Sequence, residues 1–132
     1  MSPGREPEGI LQLAQNQRRK QIEHQRLVSY SSHTIEVRQT TIFKEWLDGL
    51  VDQRAATRIA QRIVRLQAGL LGDVKPVGSG VSELRIDHGP GYRVYFIQRA
   101  QILIILLCGG DKRSQRRDTA LARTLAAELE VE

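Results

Sequence analysis

Seven consecutive apolar residues, Ile102 to Cys108 (ILIILLC), constrain this chain more than any other feature. The run is far shorter than the roughly 20 residues a membrane span needs, and it has no polar alternation that would leave one face in water. It predicts a central strand covered on both sides. Two further strand-like runs precede it, VSELRI and YRVYFIQ, joined by turns too short for a crossover. The three runs therefore pair antiparallel in succession.

The pattern upstream and downstream completes an α+β chain. TIEVRQ, beginning at Thr34, alternates Ile35 and Val37 against Glu36 and Arg38, as a half-buried strand does. TTIFKEWLDGLVDQ switches to helical spacing with Thr40 or Thr41 as N-cap, and RAATRIAQRIVRLQAG is a second, longer helix that Gly69 stops. LLGDVKPVGSG reads as a loop because glycine and proline punctuate it. After the three strands, Asp111 is placed to cap a last helix in which Leu121, Ala122, Leu125, Ala126 and Leu129 recur on one stripe. The order is β-α-α-β-β-β-α, a small antiparallel sheet with two N-terminal helices and one C-terminal helix. Residues 1–33, rich in Gln, Arg and Ser, read as an N-terminal extension, a tail or a partner-dependent helix, ahead of a single domain at 34–132.

Cysteine usage and charge narrow the setting. The single Cys108 can form no internal disulfide, no signal-like segment is visible, and the expected compartment is the cytoplasm, away from membranes. Net charge is +5. Arg54, Arg58, Arg62 and Arg65 recur at steps of four, four and three and form a ridge on the second helix, either a solvated face or a surface for nucleic-acid phosphates. Lys112, Arg113, Arg116 and Arg117 cluster where the chain leaves the last strand behind two glycines. Phe43 and Trp46 are expected in the core, and Cys108 as a buried filler.

The hairpin SELRIDHGPGYRVYF poses a sharper problem. A five-residue turn, Asp87 to Gly91, pairs Ile86 with Tyr92, Arg85 with Arg93, Leu84 with Val94 and Glu83 with Tyr95. Leu84, Ile86, Tyr92, Val94 and Phe96 then face one core, and Glu83, Arg85, Arg93 and Tyr95 share the other side. Like charges directly opposite are destabilising, so the arginine pair implies either a bound anion such as phosphate or a neighbouring acid such as Glu83.

Three segments, RQTTIFKEWL, GDVKPVGSGVSELRIDHGPGYRVYF and LLCGGDK, resemble in order the addiction-module killer proteins, a HigB-like branch of the RelE/ParE toxin superfamily of toxin-antitoxin systems. The likeness runs from about Thr34 to Glu128. It implies a sheet with helices on one side and a working surface on the other. It also implies ribosome-dependent cleavage of mRNA by the RNA's own 2′-hydroxyl, with no metal or other cofactor. By position, Arg93 matches the arginine on the scissile phosphate, Arg85 a basic residue of the preceding strand, and Lys112 or Arg113 a further cation. Glu83 stands where many relatives carry a second basic residue, and Asp118 where some carry a catalytic tyrosine. Proton transfer therefore falls to His88, Glu83 or Tyr95. The resemblance further implies RNA contacts by Tyr95, Arg113, Arg116 and the helix arginines, and partners comprising a cognate antitoxin, mRNA and ribosomal RNA. A gyrase-poisoning toxin of ParE type, or a degenerate toxin acting as a binding module with its antitoxin, are the alternatives.

Overall fold

The computed structural model describes residues 35–131, and the proposed N-terminal extension lies outside them. In chain order the elements are β1 (Glu36–Gln39), α1 (Thr41–Asp48), α2 (Gln53–Gln67), β2 (Val74–Gly78), β3 (Val81–Ile86), β4 (Tyr92–Arg99), β5 (Leu103–Asp111), a 3-10 turn (Lys112–Ser114) and α3 (Gln115–Val131). The five strands form one sheet in the order β1-β5-β4-β3-β2. The class is α+β.

Two features of the sheet correct the sequence reading. β1 pairs with β5 in parallel, Val37 beside Ile104, so the sheet is mixed. The apparent loop before β3 also contains β2, which pairs antiparallel with β3. β2 lies at the sheet's edge, where Pro76 has no hydrogen bond to lose and a bulge between Pro76 and Gly78 is tolerated. Its glycine and proline content is the chemistry of a blunted edge strand.

β5 has a strand on each side and an apolar cluster on each face. One cluster joins Val37, Ile104 and Leu106 to Phe43 and Leu47 of α1, Ile59 and Ile63 of α2, and Leu84, Val94 and Phe96. The other joins Val81, Tyr95, Ile97, Ile105, Leu107 and Cys108 to Ala122 and Ala126 of α3. Each fully buried Ile, Leu or Phe contributes about 1.5–3 kcal/mol. The two helices α1 and α2 therefore cover one face and α3 the other, which corrects the expectation of a sheet left bare on one side. Of the apolar stripe on the last helix, Ala122 and Ala126 are buried and Leu121 is exposed.

A bulge adapts β5 to both layers. Tyr95 pairs with Cys108 but Phe96 pairs with Leu106, so Leu107 is the extra residue and joins Cys108 in the α3-side cluster. Thr40 locks this place: its hydroxyl donates to Leu107 O (2.6 Å) and accepts from Phe43 N (3.0 Å), capping α1 on the bulge. Gly109 and Gly110 follow, and neither has a positive φ. They are needed for closeness. A Cβ on Gly109 would enter the Trp46 ring, and one on Gly110 the Asp118 carboxylate.

Gly110→Ala is expected to overpack this layer and lower unfolding stability by about 1–3 kcal/mol or more, read as the shift of the urea midpoint.

Candidate functional site

The hairpin register is the one the sequence predicts: Arg85 opposite Arg93, Glu83 opposite Tyr95. Strand alternation puts all four on the α3 side of the sheet. Glu83, fully buried, supplies the charge that balances the arginines. Its Oε1 lies 3.7 Å from Arg85 Nε and 3.8 Å from Arg93 Nε, attractive but too long for a hydrogen bond. Its Oε2 accepts from Tyr95 Oη (3.0 Å) and from Gln115 Nε2 (2.7 Å). One oxygen is thus fixed by neutral donors, and the other is reserved for two guanidiniums. Burial and the nearby Glu83 charge both raise the Tyr95 pKa, so the phenol remains a neutral donor.

The two arginines differ in reach. Arg93 is 9% exposed, and its Nη1 donates to Gly91 O (3.1 Å) and Tyr92 O (3.3 Å). Arg85 is 38% exposed, with Asp73 Oδ1 3.9 Å from Nη1. Lys112 is exposed, and its Cβ and the Arg93 Nη1 border the same side of Gly91. Arg85, Arg93 and the root of the Lys112 side chain therefore lie at the same end of the sheet, with Arg85 and Lys112 the accessible members.

Other residues singled out in the sequence lie elsewhere. His88 Nε2 donates to Asp52 Oδ2 (3.1 Å), and its ring stacks on Tyr92, 6.5 Å between centroids. Asp52 caps α2, and Tyr92 belongs to the α1–α2 layer, so His88 sits across the sheet from the arginine pair. Tyr95 has no exposed surface, which corrects its assignment as an RNA contact: the phenol is inside, beneath α3. Arg62 donates through Nη1 to Arg85 O (2.9 Å) and through Nη2 to Leu71 O (3.3 Å), fastening α2 to β3. Arg54, Arg58 and Arg65 are exposed. Cys108 is buried, and burial pushes its thiol up to about 12, which leaves it an inert filler.

At the start of α3, Arg113, Arg116 and Arg117 with Asp111, Ser114 and Ala120 line an open cleft of about 650 Å³. Asp111 accepts from the Arg113 amide (2.9 Å) and caps the 3-10 turn. Burial raises its pKa, but the Arg113 guanidinium and amide outweigh that and hold the carboxyl below its ordinary value. Asp118, nearly buried, accepts from Ser114 Oγ (2.5 Å) above Gly110. Gln115 and Ser114 are not legible as site residues, and Asp118, which stands where some relatives carry a catalytic tyrosine, is engaged with Ser114. Gln115 meets Glu83 across 32 positions, and no local spacing encodes that contact. Among the described residues, no group of three or more His, Cys, Asp or Glu is arranged to hold a metal, and no helix is long and apolar enough to cross a membrane.

Two measurements test this electrostatic account. Glu83→Ala leaves the Arg93 guanidinium buried without its counter-charge and is expected to cost about 3–5 kcal/mol in urea unfolding, with Glu83→Gln intermediate. The hydrogen bond from His88, and after it the Ala55 amide, hold the Asp52 carboxyl below its ordinary value. A carboxyl depressed in this way stabilises the fold above its unfolded pKa, and the contribution is lost as pH falls through the folded one. Asp52→Asn keeps a competent cap, so its melting temperature should fall less steeply than wild type below about pH 4.

No family model matches the chain. It is 50% identical over 96 residues to an uncharacterized protein of Haemophilus influenzae, and the alignment spans 73% of this chain and 97% of that protein. Identity at that level over nearly the whole relative places the two in one family, and this chain belongs to the family of that Haemophilus protein.

Proposed function

We propose that this chain is the toxin of a toxin-antitoxin module of the RelE/ParE type, a ribosome-dependent mRNA endoribonuclease silenced by its antitoxin. The observation that carries the reading is the registered Arg85–Arg93 pair, with Lys112 at the same end of the sheet. Two guanidiniums paired across a hairpin, with an exposed lysine rooted beside them, suit a phosphate whose charge grows in a transition state.

In the proposed reaction the 2′-hydroxyl oxygen bonds to the adjacent phosphorus, the P–O5′ bond breaks, the 2′ proton leaves to a base and O5′ gains a proton. Arg85 and Lys112, the accessible cations, hold the phosphate oxygens. Arg93, anchored to two turn carbonyls, adds fixed positive charge from beneath. Glu83 orients both guanidiniums through their Nε atoms and is the carboxylate nearest the clamp. His88, bonded to Asp52 on the other layer, is not a candidate base for this arrangement.

One observation favours a second reading. Tyr95 and Glu83 are enclosed beneath α3, and Arg93 nearly so, which suits a cationic docking surface on gyrase or on an antitoxin, with no cleavage.

The test is a translation reaction supplemented with purified protein, with message ends mapped by primer extension with and without ribosomes. Wild type is expected to cut only on ribosomes, and Arg85→Ala or Lys112→Ala to slow cutting by about 10²–10³-fold with an unchanged melting temperature. Intact messages with folded wild-type protein refute the nuclease reading, and inhibition of gyrase supercoiling would then support the second.

A further inference from the structure

The two edges of the sheet are built differently. β2 carries Pro76, a bulge before Gly78 and the Arg123 guanidinium on the Val77 carbonyl, each of which hinders an added strand. β1 carries none of these: Glu36–Gln39 is regular, without proline, glycine or register shift. Among the described residues, no strand pairs with its outer side.

The inner side of β1 fixes where its backbone groups point. Glu36 N donates to Ile102 O (2.8 Å) and Thr40 N to Leu106 O (3.0 Å), so Glu36, Arg38 and Thr40 face β5. Ile35, Val37 and Gln39 therefore turn their N–H and C=O groups outward. Gln67 Nε2 already donates to Ile35 O (2.5 Å), which leaves Val37 as the centre of the open edge. Two side-chain acceptors there, Gln39 Oε1 and Gln67 Oε1, are buried and accept no hydrogen bond among the described residues.

The side chains of β1 say what the edge fits. Val37 packs under α1 and α2, so Glu36 and Arg38 share the opposite side, where Arg38 Nε donates to Glu36 Oε2 (2.8 Å) and both remain open to solvent. An antiparallel strand with Val37 opposite Val37 sets Glu36 opposite Arg38 and Arg38 opposite Glu36. The sequence of β1 is thus its own electrostatic complement, and opposite charges directly across a strand pair are favourable. In this register the two Val37 residues exchange both of their outward hydrogen bonds. Gln39 of each copy comes opposite Ile35 of the other, beside the Gln67 oxygen that lacks a donor.

We propose that β1 is a self-association edge, on which a second copy of this chain pairs antiparallel about Val37 and joins the two sheets into one. The two-fold axis then stands perpendicular to the sheet, so the Arg85–Arg93 pairs of both copies face the same side. The dimer does not depend on the nuclease reading. A four-residue strand pair buries little surface, which makes the association weak and concentration-dependent.

Sedimentation equilibrium of the full-length chain over about 5–500 µM tests this, with the weight-average mass expected to rise from one chain toward two. Glu36→Arg and Arg38→Glu each set like charges across both facing pairs and are expected to weaken dimerisation about tenfold or more, with melting temperatures near wild type. Mixed in equal amounts, the two variants regain association, because every facing pair is again of opposite charge. The combined exchange Glu36→Arg with Arg38→Glu regains it alone. A wild-type chain that stays monomeric over the whole range overturns the proposal, including the case in which a strand of another protein takes the edge. A dimer indifferent to both single variants overturns it too, as does a weakening that mixing fails to reverse.

Discussion

Burial of β5 on both faces is the constraint on which the rest of the architecture depends. A strand with no polar alternation has to be roofed above and below, so α1 and α2 occupy one side and α3 the other. The same strand then ends in two glycines, one yielding to Trp46 and the other to Asp118, because both layers approach the backbone there. The point where the layers close is also where the basic turn begins. Core packing and placement of the cations are in this way one problem solved by one segment.

Glu83 turns a repulsive pair into a usable one. A carboxylate buried with two guanidiniums adds little net stability, because desolvation offsets most of the attraction. Its effect is on geometry: Oε1 lies within 4 Å of both Nε atoms, while the Arg85 side chain stays 38% exposed. Tyr95 and Gln115 fix the carboxylate from β4 and from α3, so α3 is part of the support of the site as well as a cover for apolar surface. Arg123, whose guanidinium donates to Val77 O, ties the same helix to the edge strand β2.

Charge on the surface follows from this layering. The four helix arginines form one ridge in the sequence, yet Arg62 has the reach to bind two backbone carbonyls and its neighbours have only solvent. The basic cluster after β5 lies on the opposite layer. Exposed cations of the described residues are therefore divided between two surfaces facing apart.

Local pattern alone determined the hairpin register, both N-terminal helices, a threonine cap at Thr40 or Thr41, a cap at Asp111 and the double burial of β5, since each depends on residues within a few positions of one another; that the cap is Thr40, and that Asp111 caps a 3-10 turn ahead of α3, came from the structure. The carboxylate that balances Arg85 and Arg93 was one of two readings of the same hairpin, and the choice required its buried position beneath α3. Only the tertiary structure decided that β1 lies parallel to β5, that Pro76 belongs to an edge strand, that His88 turns to Asp52, and that Tyr95 is enclosed. Each of those joins residues far apart in the chain or depends on which face a helix takes. Periodicity records that a face is apolar but not what will cover it.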